Sequence, residues 1–217
     1  MNIGTVLRAG AFLLACGAAT ANANLLTNGD FETNTFGTLI APVGVWGGEA
    51  NSQLTGATNG VTPFGSQMLE IGDAIGGSAA QVAQAVSGSF TAGSTVTFQM
   101  EVNSNNPYVG PYSNDVLLNL SFDGWGAGAV DTSLTLDNDA STWQTLTLTH
   151  VLTADVSTIY AQVLVWMTSG PGGSRYIDIP GNFVYADNAV LTVTPVPTPL
   201  SLLLLAAGLL GLRLRRA

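Results

Sequence analysis

Side chains that could break bonds are scarce in this chain, whereas side chains that hold oxygen-rich ligands are plentiful. The sole histidine, His150, closes a Leu-Thr-Leu-Thr alternation and has the pattern of a packed or edge residue rather than of a general base. No Gly-x-Ser-x-Gly elbow and no histidine pair with zinc spacing occurs. Fourteen carboxylates permit an acid/base pair of the glycosidase kind on paper, yet no spacing selects one. Gly124-Trp125-Gly126-Ala127-Gly128 has the glycines of a nucleotide loop but no helix pattern behind it, so a β-turn is expected there. The chain is therefore expected not to be an enzyme, and the chemistry left to it is binding. Aromatic rings offer flat platforms to the apolar faces of pyranose sugars, with amides and carboxylates nearby to hydrogen-bond the hydroxyls. Trp46, Tyr108, Tyr112 and Trp125 lie among Gly, Pro and Asn and are candidate ligand platforms, with simple loop packing as the competing role. Trp143 and Trp166 fall in strand patterns and are expected in the core.

Charge narrows the partners. Between Asn24 and Thr194 one arginine, Arg175, stands against all fourteen carboxylates, a net charge of −13, and the chain has no lysine. A surface so acidic has no cations to offer nucleic acid or anionic lipid; it suits cations, Ca²⁺ above all, and neutral polymers. The one cysteine, Cys16, precedes this region, so no disulfide is expected to staple it. About 170 residues suffice for one domain with a substantial apolar core.

The elements that must position these residues are strands. Val96, Phe98, Met100 and Val102 alternate with Thr95, Thr97, Gln99 and Glu101; Val116, Leu118, Leu120 and Phe122 repeat the pattern. Leu146 and Leu148 alternate with threonines, and Ile159, Ala161, Val163 and Val165 alternate with Tyr160, Gln162 and Leu164. A last strand carries Phe183, Tyr185, Ala189, Leu191 and Val193, with Asp187 expected on the same face. Weaker candidates run from Gln67 to Ile71 and from Gln81 to Val86. Turn clusters separate them at Ser87-Gly88, Asn103 to Gly110, Asp123-Gly124, Asp137 to Ala140 and Gly170 to Ser174. Asp137-Asn138-Asp139 opens like a calcium loop but lacks the later Gly and Glu, so a turn is expected. The sum is an all-β chain, an antiparallel β-sandwich or jelly roll.

Both ends carry addressing patterns. Residues 1–23 run from Arg8 through an apolar stretch to Ala21-Asn22-Ala23, the order of a secretory signal peptide with cleavage expected before Asn24. Leu13-Leu14-Ala15-Cys16 offers a lipobox as the alternative, with Cys16 lipidated. Residues 195–217 begin with Val196-Pro197-Thr198-Pro199, continue in an apolar helix over 200–212, and end in the basic stretch 213–216 with Arg213, Arg215 and Arg216. The 13-residue helix falls short of the roughly 17 to 25 residues that cross a bilayer, so a transient transmembrane hold is expected rather than a permanent anchor. This tail resembles the PEP-CTERM sorting signal, with Thr198 standing where the family has Glu. The resemblance implies export by signal peptidase processing, brief retention in the inner membrane, and release to the cell surface or extracellular matrix by an exosortase-type membrane protease. It also implies a structural or adhesive role in exopolysaccharide or biofilm; the alternative is a lectin-like module with a defined glycan.

Residues 24–194 carry a second resemblance. Asn24-Leu25-Leu26-Thr27-Asn28-Gly29-Asp30-Phe31-Glu32 is similar to the opening strand of galactose-binding-like sandwiches, the fold of many carbohydrate-binding modules. Tyr185-Ala186-Asp187-Asn188-Ala189-Val190-Leu191 is similar to their closing strand, and Trp143-Gln144 fits a strand start in the same fold. The resemblance implies that first and last strands pair. It also implies a structural Ca²⁺ held by Glu32 and Asp187, with Asp30 as a further ligand; the competing reading makes Asp30 and Glu32 turn residues and Asp187 a strand cap.

Overall fold

The computed structural model describes residues 23–33, 36–38, 44–48, 52–72, 80–104, 112–136, 142–169 and 183–196, with backbone alone at 36–38, 112–113 and 166–169. The expected signal and tail helices, Cys16, Tyr108, the Asp137 to Ala140 turn and the sorting motif beyond Val196 lie outside the described residues.

Eleven strands are described: β1 (Phe36–Thr38), β2 (Trp46–Gly48), β3 (Ser52–Thr55), β4 (Met68–Gly72), β5 (Ala80–Phe90), β6 (Thr95–Ser104), β7 (Tyr112–Phe122), β8 (Val130–Thr135), β9 (Gln144–Val151), β10 (Val156–Ser169) and β11 (Phe183–Thr194). They form two sheets, β1-β2-β5-β10-β7-β8 and β3-β4-β11-β6-β9, antiparallel throughout except for the short parallel β1–β2 pair. The expected β-sandwich is therefore what the chain forms. Alternation fixes the register, since a one-residue slip would turn each apolar set to solvent. Val163 on the central β10 sits opposite Val82 of β5 and Leu118 of β7, so three inward positions form one row. The facing sheet supplies Val96, Phe98, Met100 and Val102 from β6, Leu146 and Leu148 from β9, and Val184, Ala186 and Leu191 from β11. Each Val, Leu, Met or Phe among them contributes about 1.5–3 kcal/mol on burial, and this core does what a disulfide would otherwise do.

Four expectations are corrected. Trp46 is not a loop platform: it is fully buried in β2, tilted against Phe31 with ring centroids 5.3 Å apart. Trp143 is not in the main core; it precedes β9 on the outer face, half-buried against the satellite cluster of Val61, Met68 and Tyr185. In β11 the parity changes midway, because the pairing with β6 shifts between Asp187 and Val190 at Asn188, whose φ is +49°. Such a bulge adds one residue and re-aims those beyond it. Ala189 and Leu191 consequently join the main core, while Tyr185 packs in the outer cluster and Asp187 follows it on that side. Ser87-Gly88, expected as a turn, is instead the far part of β5, where the β10 register is irregular opposite Val156 and Thr158.

The opening segment is not the strand that the resemblance implied, being coil and turn from Asn24 to Glu32, yet hydrogen bonds stitch it to the closing strand. Leu25 N–H donates to Leu191 O at 2.8 Å and Ala189 N–H to Gly29 O at 2.7 Å. Asn24 adds three bonds: its Oδ1 accepts from Leu26 and Leu191 N–H, and its Nδ2 donates to Ala189 O. From the other sheet the buried amide of Gln84 grips Thr27 at both backbone groups, accepting from N–H at 2.7 Å and donating to C=O at 2.9 Å.

Candidate functional site

Two places bring chemistry-bearing residues together. The first is the corner where the opening segment, β11 and the 62–67 loop meet. Asp187, only 1% exposed, accepts from Phe64 N–H (3.0 Å) at Oδ2 and from Asn188 N–H (2.7 Å) at Oδ1. Glu32 accepts at Oε1 from Ser66 N–H (2.7 Å) and Gln67 N–H (3.1 Å), and at Oε2 from the Ser66 hydroxyl. Gly65 leaves the necessary room, since a Cβ there would stand 2.1 Å from Glu32 Oε1. Asp30 accepts weakly from Glu32 N–H at 3.5 Å. Burial raises the Asp187 carboxyl above its ordinary 3.8; the two N–H bonds oppose this, and the charges of Glu32 and Asp30 add to it. Glu32 is held below its ordinary 4.5, first by the Ser66 hydroxyl and then by Gln67 N–H. The first job of these carboxylates is thus to hold a loop.

Whether they also suit a cation follows from their lone pairs. A carboxylate has about four acceptor sites; Asp187 uses two and Glu32 three. Oxygen donors remain, and like charge accumulates at a buried position, which is the chemistry Ca²⁺ favours. Among the described residues no three metal-ligating side chains converge into a ready cage.

The second place is the outer face of the six-stranded sheet. Trp125, 48% exposed, stands on the turn between β7 and β8. Asp123 clamps that turn to the start of β10: its Oδ1 accepts from Ser157 N–H (2.6 Å), Ser157 Oγ (2.8 Å) and Thr158 N–H (2.9 Å). These bonds, the Ser157 N–H foremost, keep the Asp123 carboxyl below its ordinary 3.8. A turn rather than a nucleotide loop forms here, closed by Ala127 N–H to Gly124 O. The Trp125 ring meets Tyr160 edge-on, centroids 5.7 Å apart at 83°. Beyond Tyr160 the register sets Gln162 of β10, Asn119 of β7 and Asp131 of β8 in one row, and Leu164, Leu117 and Ser133 in the next. Gln162 Nε2 donates to Gln81 Oε1 within this face. Exposure rises across it, from buried Ala83 and Ala85 on β5 to exposed Asp131, Ser133 and Thr135 on β8. The result is an aromatic pair at one end of a row of amides, hydroxyls and carboxylates.

Of the two expected platforms whose side chains are described, Trp125 stands exposed on a turn and Trp46 does not. Trp46 is core, with Nε1–H donating to Asn28 O at 3.1 Å; Tyr112 contributes backbone to β7, and Tyr108 is outside the described residues. Sequence reasoning missed Tyr160, whose outward position follows from the β10 alternation. It also missed Phe64, 56% exposed and tilted on Trp143 at 5.1 Å. A lone aromatic between Pro63 and Gly65 was the available signal. His150 lies on edge strand β9, stacked on Phe122 at 5.2 Å.

No family model and no curated protein matches the sequence. Solved structures do match in shape. TmCBM61, solved in complex with β-1,4-galactotriose, is 15% identical; the match covers 78% of this chain and 97% of that one at a TM-score of 0.50. The N-terminal CBM22-1-CBM22-2 tandem domain from Paenibacillus barcinonensis Xyn10C is 12% identical, with 84% of this chain and 49% of that one covered at a TM-score of 0.50, so this chain spans about half of the tandem. These likenesses show a shared two-sheet β-sandwich.

Proposed function

We propose that this protein is a non-catalytic carbohydrate-binding protein of the cell exterior, with a glycan lying across β10, β7 and β8 from Trp125 and Tyr160. The observation that carries the reading is Trp125: a large ring left in water, fixed edge-on to a tyrosine by a turn that Asp123 clamps from beneath. Holding a ring in place before binding removes an ordering cost from the complex. Sandwiches of the same shape, one of them solved with β-1,4-galactotriose, support the class of ligand. The acidic, lysine-free composition supports a neutral polymer over a polyanion. In the same proposal the signal peptide exports the chain, the tail from Val196 to Arg216 passes it through an exosortase-type protease, and Ca²⁺ binds at Asp30, Glu32 and Asp187. The bound polymer then gives it a structural or adhesive place in extracellular polysaccharide.

The test is retardation in gels containing soluble neutral polysaccharides, with Trp125→Ala beside the native chain. Loss of an exposed anchor ring is expected to weaken retention about tenfold and to leave the melting temperature unchanged. Equal retention of the variant would remove Trp125 from the site, and no retention of the native chain would sink the reading.

A further inference from the structure

The outer face of the five-stranded sheet repeats, in different residues, the arrangement just described. Phe64 and Trp143 form its aromatic pair. Both rings hang from one loop: Trp143 Nε1–H donates to Thr62 O at 3.1 Å, and Phe64 N–H is held by Asp187. Beneath them Val61, Met68 and Tyr185 make a buried floor, and Asn59 Nδ2 donates to the Tyr185 hydroxyl at 2.7 Å. From Trp143 the outward positions of β9 continue as Thr145, Thr147 and Thr149, all exposed, a line of about 20 Å at the rise of a strand. Across the sheet, Thr149 faces Thr97 and Thr97 faces Thr192; Thr147 faces Gln99; Thr145 faces Glu101 and donates to its carboxylate at 2.9 Å. Threonine is stiff about χ1, so such a field presents its hydroxyls and methyls in few orientations.

The geometry points to a second carbohydrate-binding face here, taking a neutral polysaccharide strand that starts on Phe64 and Trp143 and runs along the threonines of β9. The charge pattern selects this occupant. On a chain of net −9 the exposed side chains of this track are uncharged apart from Glu101, which is bonded to Thr145; buried Asp187, opposite Glu101, and Glu32 beside it are engaged in holding the 62–67 loop. It offers no basic side chain to a polyanion, and two rings beside a hydroxyl field are too little apolar surface for a stable protein partner. The inference rests on the proposed glycan-binding reading and deepens it: with one platform on each side of the sandwich, a single molecule joins two polymer strands.

The experiment uses the full chain with xylan, β-1,4-galactan and hydroxyethylcellulose, reading gel retardation and the turbidity that cross-linking produces. The native chain is expected to be retarded by at least one polymer and to cloud it. Trp125→Ala and Phe64→Ala are each expected to keep retardation, weakened about tenfold, and to lose the turbidity; the double variant loses both. Thr147→Glu, a surface change that leaves both ring pairs intact, is expected to behave like Phe64→Ala. If Trp125→Ala alone abolishes retardation, or Phe64→Ala clouds the polymer as the native chain does, the second face is overturned while the first stands. If no polymer retards the native chain, both fall.

Discussion

Asp187 and Glu32 hold the same loop and respond to acid in opposite senses. The folded-state pKa of Glu32 is depressed, so its contribution is present above 4.5 and is lost as pH falls through the folded value. That of Asp187 is raised by burial, so its contribution is favourable below 3.8 and is lost as pH rises through the folded value. Melting curves between about pH 3 and 7 separate the two. The difference in melting temperature, variant minus native, is expected to fall with rising pH for Glu32→Gln and to climb for Asp187→Asn. Equal slopes would contradict the assignment. The proposed calcium would act on the same residues: a cation at 100 times its dissociation constant adds about 2.7 kcal/mol, or roughly 5–10 °C for a domain of this size. A melting temperature indifferent to added Ca²⁺ and to chelator would remove the ion from the corner. The carboxylates were singled out in the sequence by the resemblance at the two ends of the 24–194 region. Their partners Phe64, Ser66 and Gln67 were not, since nothing local marks a loop that folds across a sheet face.

At the scale of elements the fold depends on how closely the opening segment approaches β11. A Cβ on Gly29 would stand 2.2 Å from the backbone carbonyl oxygen of Ala189, an atom that cannot swing aside. Gly29→Ala is therefore expected to pry the segment from β11 and to cost about 2–4 kcal/mol, read as a fall of roughly 5–15 °C in melting temperature. A fall under about 2 °C would show that the segment yields freely. The long strands were legible because alternation marked by several large apolar side chains is hard to mistake: β6, β7, β9 and β10 lie where the pattern put them. The three-residue β1 and β2 and the four-residue β3 were not, being too short to show a period, and β8 was missed too, since only Val130 and Leu134 mark its alternation. Trp46 was misplaced for this reason, since Gly47-Gly48 beside it has the composition of a loop although it is a strand. The change of face within β11 was hidden as well, because an asparagine in the left-handed region leaves no mark on hydrophobic periodicity.

For the whole molecule, the expectation is delivery by one end and retention by the other. Mass spectrometry of the exported protein is expected to show a C-terminus upstream of Leu200 in cells that carry an exosortase, and the intact tail where that protease is deleted. An intact tail in both would refute processing. The sandwich also determines how a load would travel. Tension applied at Val196 enters along β11, the strand bonded to β6 from Val184 to Thr194 on one edge and to β4 and the opening segment on the other. A pull in that direction shears many backbone bonds together instead of unzipping them singly, so the chain meets mechanical stress with a strand braced along both edges.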